Sequence, residues 1–175
     1  MKQFSLLAAL LLCLTVFAQK RRPVNVPVVS NANILDNRNN AIDANHLFKG
    51  QTIRFGFNIL NPSQSDAIKA GTCSLEIELG DKLQTAPNAS AKISLNDYFS
   101  WSTTTDENGK TLLNGKLITD LPLDFSGSVF VDLRCAETGT SSIRAQWLDA
   151  GKTKQGSLSS VDFTIITVKK NKPIQ

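Results

Sequence analysis

Two cysteines, Cys73 and Cys135, carry the most informative chemistry in this sequence. Cys73 lies at the same alternate positions as Leu75 and Ile77, and Cys135 at the same positions as Val131, so each thiol is expected to point into a hydrophobic core. A disulfide between them would close a long loop and stabilise the fold by about 4 kcal/mol. The alternative is two unpaired thiols that act as small apolar groups on strands too far apart to bridge. We predict the Cys73–Cys135 disulfide and keep that alternative open.

The residue types present give little indication of nucleophilic catalysis or metal binding. His46, in the stretch "DANHLFKGQ", is the single histidine of the chain. No G-x-S-x-G motif presents a serine, and a structural zinc site needs four Cys or His ligands, whereas the chain after the predicted cleavage site at Ala18 contains three. No Gly-rich phosphate-binding loop is present either. We therefore predict no catalytic residue, no metal site and no cofactor, with His46 in a loop or turn.

Acidic residues offer two weaker possibilities. Glu76 and Glu78 alternate along one strand pattern and are expected on its solvent face with no evident cleft, which leaves glycan hydrolysis as a remote alternative. Asp36 and Asp43, in "NANILDNRNNAIDAN", are oxygen ligands of the kind that calcium uses. Their spacing matches no calcium loop, and Asn and Asp are also common turn residues, so we predict an irregular turn there.

The stretch "YFSWS" contains three aromatic residues, Tyr98, Phe99 and Trp101. Phe99 and Trp101 share the alternation of Ile93 and Leu95, which favours core packing for both rings and an outward Tyr98. Exposed aromatic rings could instead stack on sugars. These three residues are therefore the candidate ligand-binding residues of the sequence, with core packing as the preferred interpretation.

Short alternating segments dominate the chain and must position these side chains. In "QTIRFGFNIL" the residues Ile53, Phe55, Phe57 and Ile59 share one face, and "CSLEIELG", "SVFVDLRC", "SIRAQWL" and "VDFTIITV" repeat the pattern. Turn residues separate these segments, and "DENG" lies inside a predicted hairpin. Together with a first strand near residues 24–29, the pattern predicts an all-β protein, an antiparallel sandwich of roughly seven to nine strands in two sheets.

The N-terminus has the organisation of a signal peptide. Lys2 precedes an apolar stretch from Phe4 to Phe17, which at about 14 residues is shorter than the roughly 20 that a membrane-spanning helix needs. The small residue Ala18 fits a cleavage site before Gln19. We predict cleavage between these two residues, export, and no stable membrane span after processing. The basic residues that follow the cleavage site leave a retained anchor as the alternative.

The chain that remains after the predicted cleavage, from Gln19 onward, has the length of one domain. We predict a signal peptide at 1–18, a basic segment and first strand at 19–30, a β-sandwich at 31–168, and a basic tail at 169–175. The formal net charge is only +4, and the basic clusters are small and local, one at Lys20, Arg21 and Arg22 and one at Lys169, Lys170 and Lys172. This distribution argues against nucleic-acid binding, which requires a basic surface spread over the fold.

Three stretches resemble a known class of domain: the Gly-led strand from Gly50 to Asn61, the "LNGKL" stretch after Trp101, and the "GSVFVDL" strand. They are similar to the immunoglobulin-like repeat domains of bacterial surface and secreted proteins, of adhesin-repeat and CARDB-like type. The ending "VFAQ" resembles exported proteins of the Bacteroidetes type. The resemblance implies a non-catalytic adhesive or structural module, secreted, periplasmic or at the cell surface, with an unknown protein or glycan partner. A carbohydrate-binding module is the alternative, and a small glycan-active enzyme is the third.

Overall fold

The computed structural model describes residues 27–86 and 93–168. Within these ranges the chain forms ten strands and one 3₁₀ turn, Ala44–His46. The strands are β1 (Val28–Leu35), β2 (Leu47–Phe48), β3 (Thr52–Leu60), β4 (Cys73–Glu78), β5 (Leu83–Thr85), β6 (Phe99–Thr105), β7 (Thr111–Leu117), β8 (Ser126–Cys135), β9 (Gly139–Asp149) and β10 (Lys154–Ile166). The prediction of an all-β fold is confirmed, and the two short strands β2 and β5 bring the number above the expected range.

The predicted alternation accounts for the strands and their inward faces. In β3 the side chains of Ile53, Phe55, Phe57 and Ile59 are all buried, as expected from their spacing. The same holds for the inward residues of β4, β8 and β9, which are Leu75, Ile77, Val129, Val131, Leu133, Ile143, Ala145 and Trp147. These side chains fill the space between two sheets and form one hydrophobic core.

The two sheets have an immunoglobulin-like strand order. One contains four strands in the order β1-β3-β8-β5, and the other contains six in the order β2-β10-β9-β4-β7-β6. These spatial orders correspond to the A-B-E-D and G-F-C-C′-C″ sheets of immunoglobulin variable domains, but here β5, in the D position, precedes β6 and β7 in the chain, whereas D follows C′ and C″ in immunoglobulins. Neighbouring strands pair antiparallel except β2, which pairs parallel with the end of β10. The protein is an antiparallel immunoglobulin-like β-sandwich.

The first strand extends further along the chain than the sequence pattern suggests. We predicted it near residues 24–29, whereas β1 continues through residue 30 to Leu35 and pairs with β3. Residues 24–26 lie outside the described part of the chain. The difference arises because "NANIL" lacks strict alternation, and β1 carries a register shift between Ser30 and Asn33 that restores the pairing.

One pair of sheet edges is joined by hydroxyl groups. Ser157 of β10 donates a hydrogen bond to the backbone oxygen of Val29, and the Ser159 hydroxyl accepts one from the backbone N–H of Ala32. These bonds link the edges of the two sheets where β10 is irregular between Gln155 and Ser159.

At the far side of the larger sheet, β6 is the last strand. In the described ranges, no helix is long and apolar enough to cross a membrane.

Candidate functional site

A groove lies on the outer face of the six-stranded sheet, and it is the candidate site. It occupies about 530 Å³. The strand register places its residues in rows that cross β4, β7 and β9, because each outward residue of β4 has an outward partner on both neighbouring strands. The lining residues are Gly71, Cys73, Ser74, Glu76, Ser102, Thr104, Leu112, Asn114, Lys116, Leu148, Asp149, Ala150, Lys152 and Lys154.

The middle row of the groove is uncharged apart from one carboxylate. Glu76 of β4 lies between Gln146 of β9 and Asn114 of β7. The Asn114 amide donates a hydrogen bond of 2.9 Å to the Thr104 hydroxyl of β6. This row therefore presents a carboxylate flanked by groups that both donate and accept hydrogen bonds. The predicted outward orientation of Glu76 and Glu78 is confirmed. The expectation that no cleft lies beside them is wrong for Glu76, which lines the groove.

The next row carries a paired carboxylate. Glu78 accepts a hydrogen bond of 2.5 Å from the Lys110 ammonium group, and it lies beside Arg144 of β9. The hydrogen bond and charge of Glu78 raise the pKa of Lys110. Glu78 is therefore committed to a contact within the sheet, whereas Glu76 faces the groove.

The row at the other end of the groove is basic. This row consists of three successive cross-strand pairs: Lys154 of β10 with Leu148 of β9, Leu148 with Ser74 of β4, and Ser74 with Lys116 of β7. Three strand spacings separate the two lysine backbones, a distance of about 14 Å. Lys152 adds a third ammonium group from the β9–β10 turn. Among the described residues none of these three lysines forms an ion pair.

Asp149 lies close to these lysines but is engaged by its own turn. Its carboxylate accepts hydrogen bonds from the backbone N–H of Thr153 at 2.8 Å and from the side-chain amide of Gln155 at 3.0 Å. The Thr153 bond is the main cause of its lowered pKa. The groove therefore combines a basic end, a polar middle and apolar contacts from Leu112 and Leu148.

The predicted Cys73–Cys135 disulfide is wrong. Both cysteines are buried and free. Cys73 starts β4 opposite Asp149, the last residue of β9, whereas Cys135 ends β8 just before β9 begins at Gly139. The length of β9, roughly 30 Å, therefore separates them, far beyond the 4.4–6.8 Å between Cα atoms that a disulfide allows. Burial raises the pKa of each thiol to about 11.

The aromatic candidates lie on the core side of the sheet and not in the groove. Phe99 is fully buried, and its ring packs 5.7 Å from that of Trp101. Trp101 is half-buried at the sheet edge and lies directly over Gly115, where a Cβ atom would come within 2.8 Å of the indole. Tyr98 was expected to face solvent, but it is half-buried and packs 4.8 Å from Phe125.

His46 and the acidic loop residues form local turns. Asp43 accepts a hydrogen bond from the Asn45 backbone N–H and lies 2.6 Å from Nδ1 of His46, and these contacts lower the Asp43 pKa. Asp36 accepts bonds from the backbone N–H groups of Arg38 and Asn40. Both carboxylates thus close turns, as predicted. Over residues 27–86 and 93–168, no three or more metal-binding side chains come together.

Sequence reasoning did not single out Asn61, the buried polar residue that holds the end of β3. Its amide nitrogen donates to the backbone oxygens of Pro122, Leu121 and Asp66, and its Oδ1 accepts from the Ser63 N–H. Only its position at the end of the Gly50–Asn61 strand pattern marked it. The predicted cleavage site, Ala18 and Gln19, and the basic tail 169–175 lie outside the described residues.

Comparison of the sequence with protein-family models gives no match, and neither does comparison with curated proteins. Among solved structures, the chain is similar to AvmM, which catalyses macrocyclization in alchivemycin A biosynthesis (16% identity, TM-score 0.43, 86% of this chain and 93% of that chain). It is also similar to a cohesin module from a Clostridium perfringens family 33 glycoside hydrolase (14%, 0.44, 78% and 97%). The third is the CARDB domain of Pyrococcus furiosus PF1109, solved with di-metal ions (8%, 0.45, 84% and 95%). Likenesses this distant carry no functional inference.

Proposed function

We propose that this protein is an exported, non-catalytic interaction module of adhesin-like type, secreted, periplasmic or at the cell surface. Its outer groove on the six-stranded sheet binds a protein partner of the cell envelope. The groove carries this proposal, because it is an open surface on which the apolar side chains of Leu112 and Leu148 lie among polar and charged groups. Protein interfaces likewise combine apolar contacts with polar and charged side chains.

The arrangement of the titratable groups supports a binding role rather than catalysis. His46 is exposed and paired with Asp43 in a turn, and it is not one of the groove residues. Two carboxylates line the groove, Glu76 and Asp149; Glu76 has two amide neighbours in its row, and Asp149 is oriented by hydrogen bonds within its own turn. A general acid and base pair on a sugar would need two facing carboxylates.

The groove can be tested with a photo-cross-linking amino acid placed at Ser102, which is exposed on β6 at the groove wall. We expect irradiation of intact cells to produce one protein adduct of defined mass. Excess unlabelled protein should compete for this adduct, whereas an Asn114→Trp variant, whose indole fills the middle of the groove, should not compete.

Gln84 provides the matched control position. It is exposed on β5, on the outer face of the opposite sheet. We expect the same cross-linker at Gln84 to give no competable adduct. Equal adducts from Gln84 and Ser102, or none from Ser102, would contradict the proposed binding surface.

Carbohydrate binding is the second candidate, and one observation favours it. The middle of the groove offers the Glu76 carboxylate, the Asn114 amide and nearby hydroxyls, which are groups that hydrogen-bond to sugars. However, the aromatic rings of Phe99 and Trp101 lie on the opposite, core side of the sheet. Retention on insoluble polysaccharides that Glu76→Gln abolishes would favour this candidate over the protein partner.

Export rests on the N-terminal sequence, with the proposed cut between Ala18 and Gln19. We expect the intact mass of the protein from the extracytoplasmic fraction to correspond to a chain that starts at Gln19. A membrane-bound species that retains Leu6–Leu14 would show that the segment is an anchor.

A further inference from the structure

We propose that the groove recognises an extended partner segment that carries a carboxylate at each end and uncharged residues between them. This inference rests on the proposed function, since it names the chemistry of the partner that the groove binds. The segment would cross the strands along the row that joins Lys154 to Lys116.

The two lysines at the ends of this row lack carboxylate partners among the described residues. Lys69, Lys82 and Lys110 each form an ion pair, whereas Lys116 and Lys154 do not. Both are exposed. Their ammonium groups are therefore available to pair with charges that a partner supplies, which is how complementary surfaces gain specificity.

The spacing of the lysines suits an extended peptide. Their backbones are about 14 Å apart across three strand spacings, and an extended chain covers that distance in about four residues. Leu148 and Ser74 lie between them in the row. Side chains at alternate positions of the peptide would therefore place two carboxylates at the lysines and one apolar or small side chain at Leu148.

Glu76 sets the charge pattern that the groove accepts. It lies on the same strand as Ser74 and projects from the same face, next to the basic row. A carboxylate in the middle of the partner segment would be repelled by Glu76, so a uniformly acidic polymer fits the groove less well than a segment with charged ends. Asp149 forms no ion pair with these lysines among the described residues, because its carboxylate is oriented toward Thr153 and Gln155.

The probe is a capped peptide, Asp-Thr-Leu-Thr-Asp, added to the ¹⁵N-labelled chain at low ionic strength. We expect amide chemical-shift changes confined to the groove rows, and a dissociation constant at least about tenfold lower than for Lys-Thr-Leu-Thr-Lys. Added salt should weaken the binding, since the contacts are between exposed charges.

Charge reversal tests the assigned residues. Lys116→Glu and Lys154→Glu should each weaken binding of the acidic peptide by about tenfold, whereas Lys49→Glu makes the same change of charge outside the groove and should leave it unchanged. Glu76→Gln should strengthen the binding of Asp-Thr-Asp-Thr-Asp, which has a central carboxylate, more than that of the probe. Unchanged thermal unfolding of each variant shows that the fold is kept.

Three results would overturn the inference: no shift changes with the acidic peptide, equal binding of the basic peptide, or equal effects of Lys49→Glu and Lys116→Glu. The cross-linking at Ser102 separates this failure from failure of the proposed function. If the Ser102 adduct persists in the Lys116→Glu/Lys154→Glu variant, the groove binds a partner by other chemistry. If Ser102 gives no adduct, the binding surface itself is wrongly assigned.

Discussion

At the scale of single residues, Asn61 shows how one side chain holds several parts of the chain together. It is 2% exposed, and its amide nitrogen donates to three backbone oxygens from two separate segments. A buried group with this many partners is costly to replace, because the carbonyl groups would lose their donor. Asn61 therefore connects the end of β3 to the loop that precedes β8.

Asn61→Asp should destabilise the protein in a pH-dependent way. The new carboxylate would face three carbonyl oxygens in a buried site, which raises its pKa above the unfolded value. Because the raised pKa makes the folded state hold the proton more tightly, the penalty should be smallest below about pH 4 and should grow as the pH rises toward 7. Urea unfolding of both proteins at these two pH values measures the difference. A pH-independent difference would contradict the assigned hydrogen bonds.

Cys73 and Cys135 give a second prediction at this scale. Because the two thiols lie at opposite ends of the sandwich, a reducing agent should leave the melting temperature unchanged. Both should resist alkylation in the folded protein, since they are buried and their pKa values are raised to about 11. Mass spectrometry after unfolding without reductant should find both residues alkylated. A disulfide-linked peptide that contains both would refute the placement.

At the scale of strands, the contact of Trp101 with Gly115 joins β6 to β7. The two residues are paired across the hairpin on the core side, and the indole occupies the space that a side chain at position 115 would need. Besides its backbone pairing with β7, the last strand of the larger sheet is therefore held by the packing of Trp101 on the Gly115 backbone and by the contact between Phe99 and Trp147.

A double-mutant cycle tests this contact. Gly115→Ala should destabilise the protein by about 1 to 3 kcal/mol because the added methyl group displaces the indole. Trp101→Ala should cost about 2 to 3 kcal/mol, below the value for a fully buried tryptophan since the ring is half-buried. In the Trp101→Ala background the cost of Gly115→Ala should largely disappear. Additive effects in urea unfolding would show that the two residues do not interact as described.

The strands were predictable from the sequence because each buried face follows a period of two. Alternation assigned Phe55, Ile77 and Val131 to the core correctly. The same reasoning placed Cys73 and Cys135 inward, and both are buried, yet it could not show at which end of the sandwich each one lies. That information depends on strand order and direction, so the disulfide prediction failed although its first step was right.

At the scale of the whole molecule, the groove arises from strand order rather than from any sequence motif. Lys154 and Lys116 are far apart in the chain and share a row only because β10, β9, β4 and β7 are neighbours. Alternation identified only the second half of β10, from Val161, and assigned the segment around Lys154 to a turn, and it could not show which strands are neighbours. The aromatic residues of the "YFSWS" stretch, which the sequence marked as candidate ligand-binding residues, pack against the core near the sheet edge. The candidate site consists mainly of polar residues that no sequence motif marked.

Turn aspartates should control the acid stability of the molecule as a whole. Six of them have lowered pKa values because they accept hydrogen bonds from backbone groups or lie beside lysines; they are Asp36, Asp43, Asp81, Asp106, Asp120 and Asp149. A lowered pKa means that the unfolded state binds protons more readily than the folded state. The stabilisation is therefore present above the unfolded pKa, near 3.8, and is lost as the pH falls through the folded values.

We expect the urea midpoint to be nearly constant from pH 7 to about pH 5 and to fall steeply below about pH 4. Asp106, whose carboxylate accepts from the backbone N–H groups of Lys110 and Asn108 in the β6–β7 turn, offers a single-site test. Asp106→Asn removes one titrating group, so its midpoint should lie below that of the parent protein at pH 7 and approach it at pH 3. Glu107→Gln, in the same turn, is the matched control. A midpoint that stays constant down to pH 3, or an equal effect of both substitutions, would show that these turns do not carry the acid sensitivity.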